Sequence, residues 1–207
     1  MDTPTKIYKI INENLNVIEY NKKSRGEVFT NLKLVDKQVS HVPIAVFKKK
    51  ETKVLDIGSG IGNYAIYCYF KLMKTLTQIR DKEKRSIHII ENMLYMIEID
   101  DVNVKKCIEI FKLIEPKAKI NIIQKDFLKL KEEDLLEHKF PLKYNVILSN
   151  PPYNQPNKKD INKLSTRALY PHIISHALTF LQPKGYLSFI HPVSWRRYSR
   201  EHRFDFD

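Results

Sequence analysis

The residues with the most specific chemistry are Asn150-Pro151-Pro152-Tyr153. Two adjacent prolines fix the backbone and remove two N–H donors, so the local carbonyls are left facing outward. The Asn150 side-chain oxygen and the Pro151 carbonyl can then accept both hydrogens of one planar amino group, freeing its nitrogen lone pair to attack an electrophile. Tyr153 offers a face on which the ring bearing that amine can stack. A second constellation is Asp56-Ile57-Gly58-Ser59-Gly60-Ile61-Gly62-Asn63, where glycines allow a sharp turn and close approach of a ligand to backbone. Its G-x-G-x-G spacing departs from the dinucleotide G-x-G-x-x-G, and no Gly-Lys-Ser/Thr follows to cradle phosphates. A plain tight turn is the competing reading.

Two acidic positions complete the set. Glu98, with Ile99 beside it, can accept the two hydroxyls of a ribose. It lies 42 residues after Asp56 (98 minus 56), against a usual interval of about 20, so an insertion over residues 74–92 is expected. Asp100 or Asp101 reads instead as a helix N-cap. Asp126 can accept from the exocyclic amine of an adenine while Phe127 packs on its ring, the alternative being a cap and a core aromatic. His172, His176 and His191 are scattered and read as structural side chains, so no metal site is expected.

These groups need an α/β scaffold. Apolar runs over 54–57, 94–98, 120–123, 144–148 and 186–190 read as buried strands. Helical spacing fits residues 62–80, 101–114, 129–137 and 165–181, with Gly185 a turn before the last strand. Upstream, Ile7, Ile10, Ile11, Leu15 and Ile18 predict a first helix, and Leu32, Leu34, Val35 and Val39 a second one ended near Pro43. Lys48-Lys49-Lys50 reads as a solvated bend. No internal repeat or linker interrupts the chain, so residues 1–50 are read as a helical N-terminal extension and 51–207 as one catalytic domain.

At 207 residues with 43% hydrophobic and 29% charged residues, the chain can bury a core without crosslinks, which excludes fibrous and disordered classes. Cys68 and Cys107 are too few for a disulfide framework and sit in apolar helical patterns, so both are expected reduced and buried. Neither a leader-like start nor a run of about 20 apolar residues is present, which predicts an intracellular protein with no membrane partner. The net charge of +12 favours a polyanionic partner such as nucleic acid. A Lys- and Ile-rich composition from an A/T-rich genome gives the same excess.

Taken in order, Gly26-Glu27-Val28-Phe29-Thr30, Asp56 to Tyr64, Glu98 and Asn150 to Tyr153 resemble the motifs of S-adenosylmethionine-dependent DNA adenine-N6 methyltransferases of the type I and Eco57I-like class. The first matches a G-E-V-F-T motif, the second D-x-x-x-G-x-G-N-F, with Tyr64 in place of Phe. The resemblance covers about residues 24–195. It implies a Rossmann-like methyltransferase fold, a mostly parallel sheet with helices on both faces. S-adenosylmethionine is the implied cofactor, contacted by Phe29, Thr30, Asp56, Gly58, Gly60, Asn63, Glu98, Ile99, Asp126, Phe127 and Asn150. Asn150, Pro151, Pro152 and Tyr153 are the implied catalytic residues.

The implied reaction moves a methyl group from the sulfonium directly to adenine N6 in DNA, with the base flipped out of the duplex and stacked on Tyr153. Lys158, Lys159, Lys163, Arg167, Arg196, Arg197, Arg200 and Arg203 are candidates for phosphate contacts. Asn31 follows Thr30 where the family motif often has Pro. Members of this class usually carry a large target-recognition domain after the catalytic one, so a separate recognition subunit or further recognition domain is expected as partner. RNA adenine or a protein glutamine presents the same planar nitrogen, though the Gly26 to Thr30 match argues against glutamine. A non-catalytic methyltransferase-like subunit is the reading of a different class.

Overall fold

The computed structural model describes residues 32–156 and 164–192, together with Lys9. The predicted first helix, the Gly26 to Thr30 motif with Phe29 and Thr30, and Lys158, Lys159, Lys163, Arg196, Arg197, Arg200 and Arg203 lie outside the described residues. So does the Arg167 side chain.

Five parallel strands form the central sheet: β1 (Val54–Ile57), β2 (Leu94–Glu98), β3 (Ile122–Gln124), β4 (Tyr144–Ser149) and, last in the chain, β7 (Leu181–Phe189). Their order is β3-β2-β1-β4-β7, so the direction of winding reverses between β1 and β4. In such sheets ligands bind outside the carboxyl ends of the strands at that reversal. A small antiparallel pair, β5 (Asn154–Pro156) and β6 (Leu164–Ala168), follows β4 directly.

Strand alternation sorts the core into two layers. Val54, Leu94, Met96, Val146 and Leu148 face one layer, formed with α1 (Leu32–Ser40), α2 (Asn63–Thr75), α3 (Lys82–Asn92) and α4 (Asp101–Ile114). Leu55, Ile57, Tyr95, Ile97 and Ile147 face the other, against α5 (Glu132–Glu137) and α6 (Tyr170–Phe180). Helices therefore cover both faces, and the fold is α/β and Rossmann-like. Val35, Val39, Val42 and Phe47 belong to the same buried cluster as β1 and α2, so α1 and the 3-10 turn Val46–Lys48 are continuous with the sheet's core. Lys48, which ends that turn, and Lys49 and Lys50 after it are exposed. Cys68 and Cys107 are free and buried.

Several boundaries differ from the sequence reading. The helix expected over 62–80 ends at Thr75, and the expected insertion contains the separate helix α3, N-capped by the Asp81 carboxylate accepting from Lys84 N. The strand expected at 120–123 runs from 122 to 124, and the helix expected at 129–137 is confined to 132–137 after a 3-10 turn at Phe127–Lys129. Residues 165–168 are strand rather than helix: backbone pairing with the segment after Tyr153 captures them, and α6 begins at Tyr170 with Pro171 in its first turn. Gly185 lies inside β7, where Gln182 to Gly185 bulge between the pairs Tyr144↔Leu181 and Val146↔Tyr186. The regular ladder covers 186–189, close to the expected strand.

Candidate functional site

Parallel register brings the predicted groups to one edge. Ile57 pairs with Ile97 of β2 and Ser149 of β4, so the residues that follow, Gly58, Glu98 at the last position of β2, and Asn150, lie side by side at the sheet's carboxyl edge. Gly58 N and Ser59 N both donate to Ile97 O, at 2.9 and 3.1 Å, folding the glycine loop back over β2. Gly62 N closes the turn onto Ser59 O at 2.8 Å, and α2 starts at Asn63, which is 5% exposed.

The three glycines do different work. All have positive φ, +62° at Gly58, +55° at Gly60 and +92° at Gly62. A Cβ on Gly58 or Gly60 would meet no atom of the described residues within 4 Å, so among them the loop is open on that side. On Gly62 it would lie 2.8 Å from Cys107 Sγ, which makes that glycine the seat of α2 on α4. Sequence spacing did not separate these roles.

Beneath the loop, Asp56 is 1% exposed. Its Oδ2 accepts weakly from Ala65 N at 3.4 Å, while Oδ1 has no hydrogen-bond partner among the described residues. Burial pushes its carboxyl up to about 8, opposed by the Ala65 bond and reinforced by the nearby charge of Glu98. Ser59 Oγ is a second buried atom without a partner among the described residues. Glu98 is 6% exposed and clamps the loop: Oε2 accepts from Gly60 N at 2.7 Å, and Oε1 from Ile99 N and Asp100 N at 2.9 Å each. Burial raises its carboxyl, and the three N–H groups oppose that rise. A carboxylate has about four acceptor positions, so one remains for a ligand hydroxyl. Ile99 is 64% exposed at the mouth of this edge. Asp100 is the N-cap of α4, accepting from Val102 N and Asn103 N.

Asp126 accepts from Leu128 N at 3.1 Å and caps the 3-10 turn. Phe127 is 7% exposed and packs against His176 and Phe180 at centroid distances of 4.9 and 5.9 Å. Both therefore already serve as cap and core aromatic. His176 reaches Leu130 O, and His191 lies flat against Tyr170. No metal-binding cluster of His, Cys, Asp or Glu occurs among the described residues.

The Asn150 to Tyr153 loop is pinned at both ends. Ser149, fully buried, donates through Oγ to Ile57 O at 2.6 Å and accepts from Ile190 N at 3.1 Å. At the far end Tyr153 O accepts from Leu169 N at 2.8 Å. Between the pins Pro151 is buried, Pro152 exposed, and Tyr153 OH donates to Asn150 Oδ1 at 3.2 Å. Sequence reasoning missed Ser149 and Gln38, and it read Ser59 and Tyr64 only as members of the glycine-loop motif, without roles of their own. Of the two missed outright, Gln38 carried a signal, as an amide among apolar α1 positions.

An open glycine loop, a buried carboxylate with an idle oxygen, and a second carboxylate with one acceptor to spare suit a ligand combining positive charge, a ribose and a flat base. S-adenosylmethionine has those features, and the residues present fit it.

The family model for the Eco57I restriction-modification methylase matches residues 31–205. The chain belongs to that family. Among curated proteins, the tRNA1(Val) (adenine(37)-N6)-methyltransferase of Aliivibrio fischeri is 30% identical over 95 residues, 42% of this chain and 41% of that protein. Among solved structures, a chain of a type I R-M system superposes with a TM-score of 0.66 at 16% identity, covering 91% of this chain and 38% of that one. The type I restriction enzyme EcoKI M protein gives 0.57 at 15%, covering 82% and 35%. The structural likenesses bear on the fold. The matched part of this Eco57I-family chain spans less than half the length of each of these relatives.

Proposed function

We propose that this Eco57I-family chain carries the catalytic core of an adenine-N6 methyltransferase that uses S-adenosylmethionine and acts on DNA. The observation that carries the reading is the side-by-side placement of Gly58, Glu98 and Asn150 at the carboxyl ends of three paired strands, with the Asn-Pro-Pro-Tyr loop pinned at both ends beside the glycine loop. When bound, the cofactor supplies a methyl group on a cationic sulfur. Asp56 offers a buried negative charge to that cation, Glu98 accepts a ribose hydroxyl, and Ile99 covers the base. Phe29 and Thr30 are assigned to the methionine end, and Asn63, Asp126 and Phe127 to the loop and adenine side.

Asn150 Oδ1 and Pro151 O accept the amine hydrogens and hold the adenine nitrogen with its lone pair toward the methyl group. With the cofactor bound, transfer would form the C–N bond at the expense of the C–S bond, and the surplus N–H proton would pass to water. Tyr153 stacks on the flipped base, worth roughly 1–3 kcal/mol, after its hydroxyl releases Asn150 Oδ1. A target-recognition domain or separate subunit supplies sequence choice.

A second reading, an RNA adenine, is favoured by the A. fischeri likeness, whose named substrate is a tRNA. Competition decides between them: duplex DNA and structured RNA of equal adenine content share one reaction with labelled cofactor, and each is digested to nucleosides. N6-methyldeoxyadenosine as the main product supports DNA, and N6-methyladenosine instead assigns RNA. Label in neither rejects both.

A further inference from the structure

Gln38 projects from α1 into the core and is 8% exposed, next to the fully buried Val39. A buried amide needs partners for both of its ends. Its Nε2 donates to Ser188 O at 3.0 Å and lies 3.5 Å from Ser149 O, while its Oε1 accepts from Tyr64 OH at 2.5 Å. Carbonyl oxygens only accept, so this orientation of the amide is fixed by chemistry as well as by geometry.

The three partners occupy telling positions. Ser149 is the last residue before Asn150, and Ser188 pairs with Leu148 one step earlier on the neighbouring strand. Tyr64 follows Asn63 in the first turn of the helix that leaves the glycine loop. Tyr64 also stands where the motif quoted above has Phe, and its hydroxyl, on a side chain only 3% exposed, meets the Gln38 acceptor. β7 is bulged at its start and joins the described sheet only through β4, so its carboxyl end is held there by the 186–189 ladder, the Ile190 N–Ser149 O bond and Gln38.

We propose that Gln38 is a positioning residue, one side chain that ties the carboxyl ends of β4 and β7 to the first turn of α2. It thereby fixes Asn150 relative to the cofactor loop. This rests on the methyl-transfer reading of the same site. Transfer between held groups is sensitive to displacement, and a shift of about 1 Å costs on the order of 10²-fold in rate.

The test compares Gln38→Met with the double variant Gln38→Met/Tyr64→Phe in the full chain. The single change removes the amide from two carbonyls and from the Tyr64 hydroxyl; the double change also removes the hydroxyl, leaving an apolar pair that folds. Expected for Gln38→Met are a kcat lower by about 10- to 100-fold, a cofactor KM within about twofold, a lower Tm, and faster amide exchange over residues 146–153 and 186–192. The double variant is expected to regain Tm while kcat and exchange stay impaired. Recovery of kcat and exchange together with Tm would reduce Gln38 to a structural residue and overturn the proposal, as would wild-type kcat and exchange in Gln38→Met. If the wild-type chain transfers no methyl group, the functional reading fails, and exchange alone decides the clamp: faster exchange in both variants upholds it, and unchanged exchange overturns it.

Discussion

Asp56 is a carboxyl whose buried environment departs far from that of its free side chain. Its carboxyl titrates near 3.8 in an unfolded chain and is pushed up to about 8 by burial. Below both values it is neutral in either state. Between them the folded chain holds a proton that the unfolded chain has released, so stability falls as pH rises from about 4 to about 8, and the loss is complete above that. Asp56→Asn is expected to flatten this slope in urea unfolding of the cofactor-free chain; an unchanged slope rejects the assignment. A bound cation favours the ionised form, so cofactor binding at pH 7 should release a proton, seen as a dependence of calorimetric heat on buffer ionisation. Glu98 answers a different question. Glu98→Gln replaces an acceptor with an NH2 group that faces backbone N–H donors, so both loop order and ribose contact suffer. A cofactor affinity at least about tenfold weaker is expected from a loss of 1.4 kcal/mol or more, and an unchanged titration contradicts the role. Glu98 was legible in the sequence as a carboxylate at a strand end. Its grip on Gly60 was not, because that contact joins residues 38 apart through a loop geometry that spacing does not encode.

The glycine loop separates packing from ligand approach at the scale of an element. Gly60→Ala and Gly62→Ala both place a side chain at positive φ, which costs about 1–3 kcal/mol each. Only Gly62→Ala also drives a Cβ into Cys107 Sγ, so it should lower the urea midpoint more than Gly60→Ala does. Gly60→Ala should instead weaken cofactor affinity more than its stability loss explains, by filling open space. Equal effects on both readouts would remove the distinction. β1, β2, β4 and α4 were read close to their observed bounds because each is a strong apolar pattern closed by a turn or an acidic cap such as Asp100. Where the reading failed, tertiary pairing outweighed local pattern. Leu164–Ala168 carries helix-compatible residues but is held as a strand by Asn154–Pro156. The separation of α3 from α2 was invisible because the break at residues 76–81 carries no Gly or Pro to announce it. Of the site, Asn150, Asp56 and Glu98 were readable as chemistry at strand ends. The anchors Ser149 and Gln38 were not, since their partners lie 92 and 150 residues away.

For the whole molecule, a charge of +12 has two origins to choose between, a polyanionic partner or composition alone. A phosphate-binding surface releases counterions, so log affinity for duplex DNA should fall linearly with log salt, with a slope of about −0.9 per phosphate neutralised. Several contacts, hence a slope steeper than about −3, are expected from fluorescence titrations between 50 and 200 mM salt. A slope near zero assigns the lysines to composition. The central claim is that the edge shared by Gly58, Glu98 and Asn150 transfers a methyl group to an adenine amine. It is tested most directly by labelled-methyl transfer to adenine-containing nucleic acid at saturating S-adenosylmethionine, wild type against Asn150→Ala, with cofactor affinity measured on the same samples. Expected are transfer by the wild type, a loss on the order of 10²-fold or more in the variant, and cofactor affinity within about twofold. Equal transfer by the two proteins, or a matching loss of cofactor affinity, would contradict it.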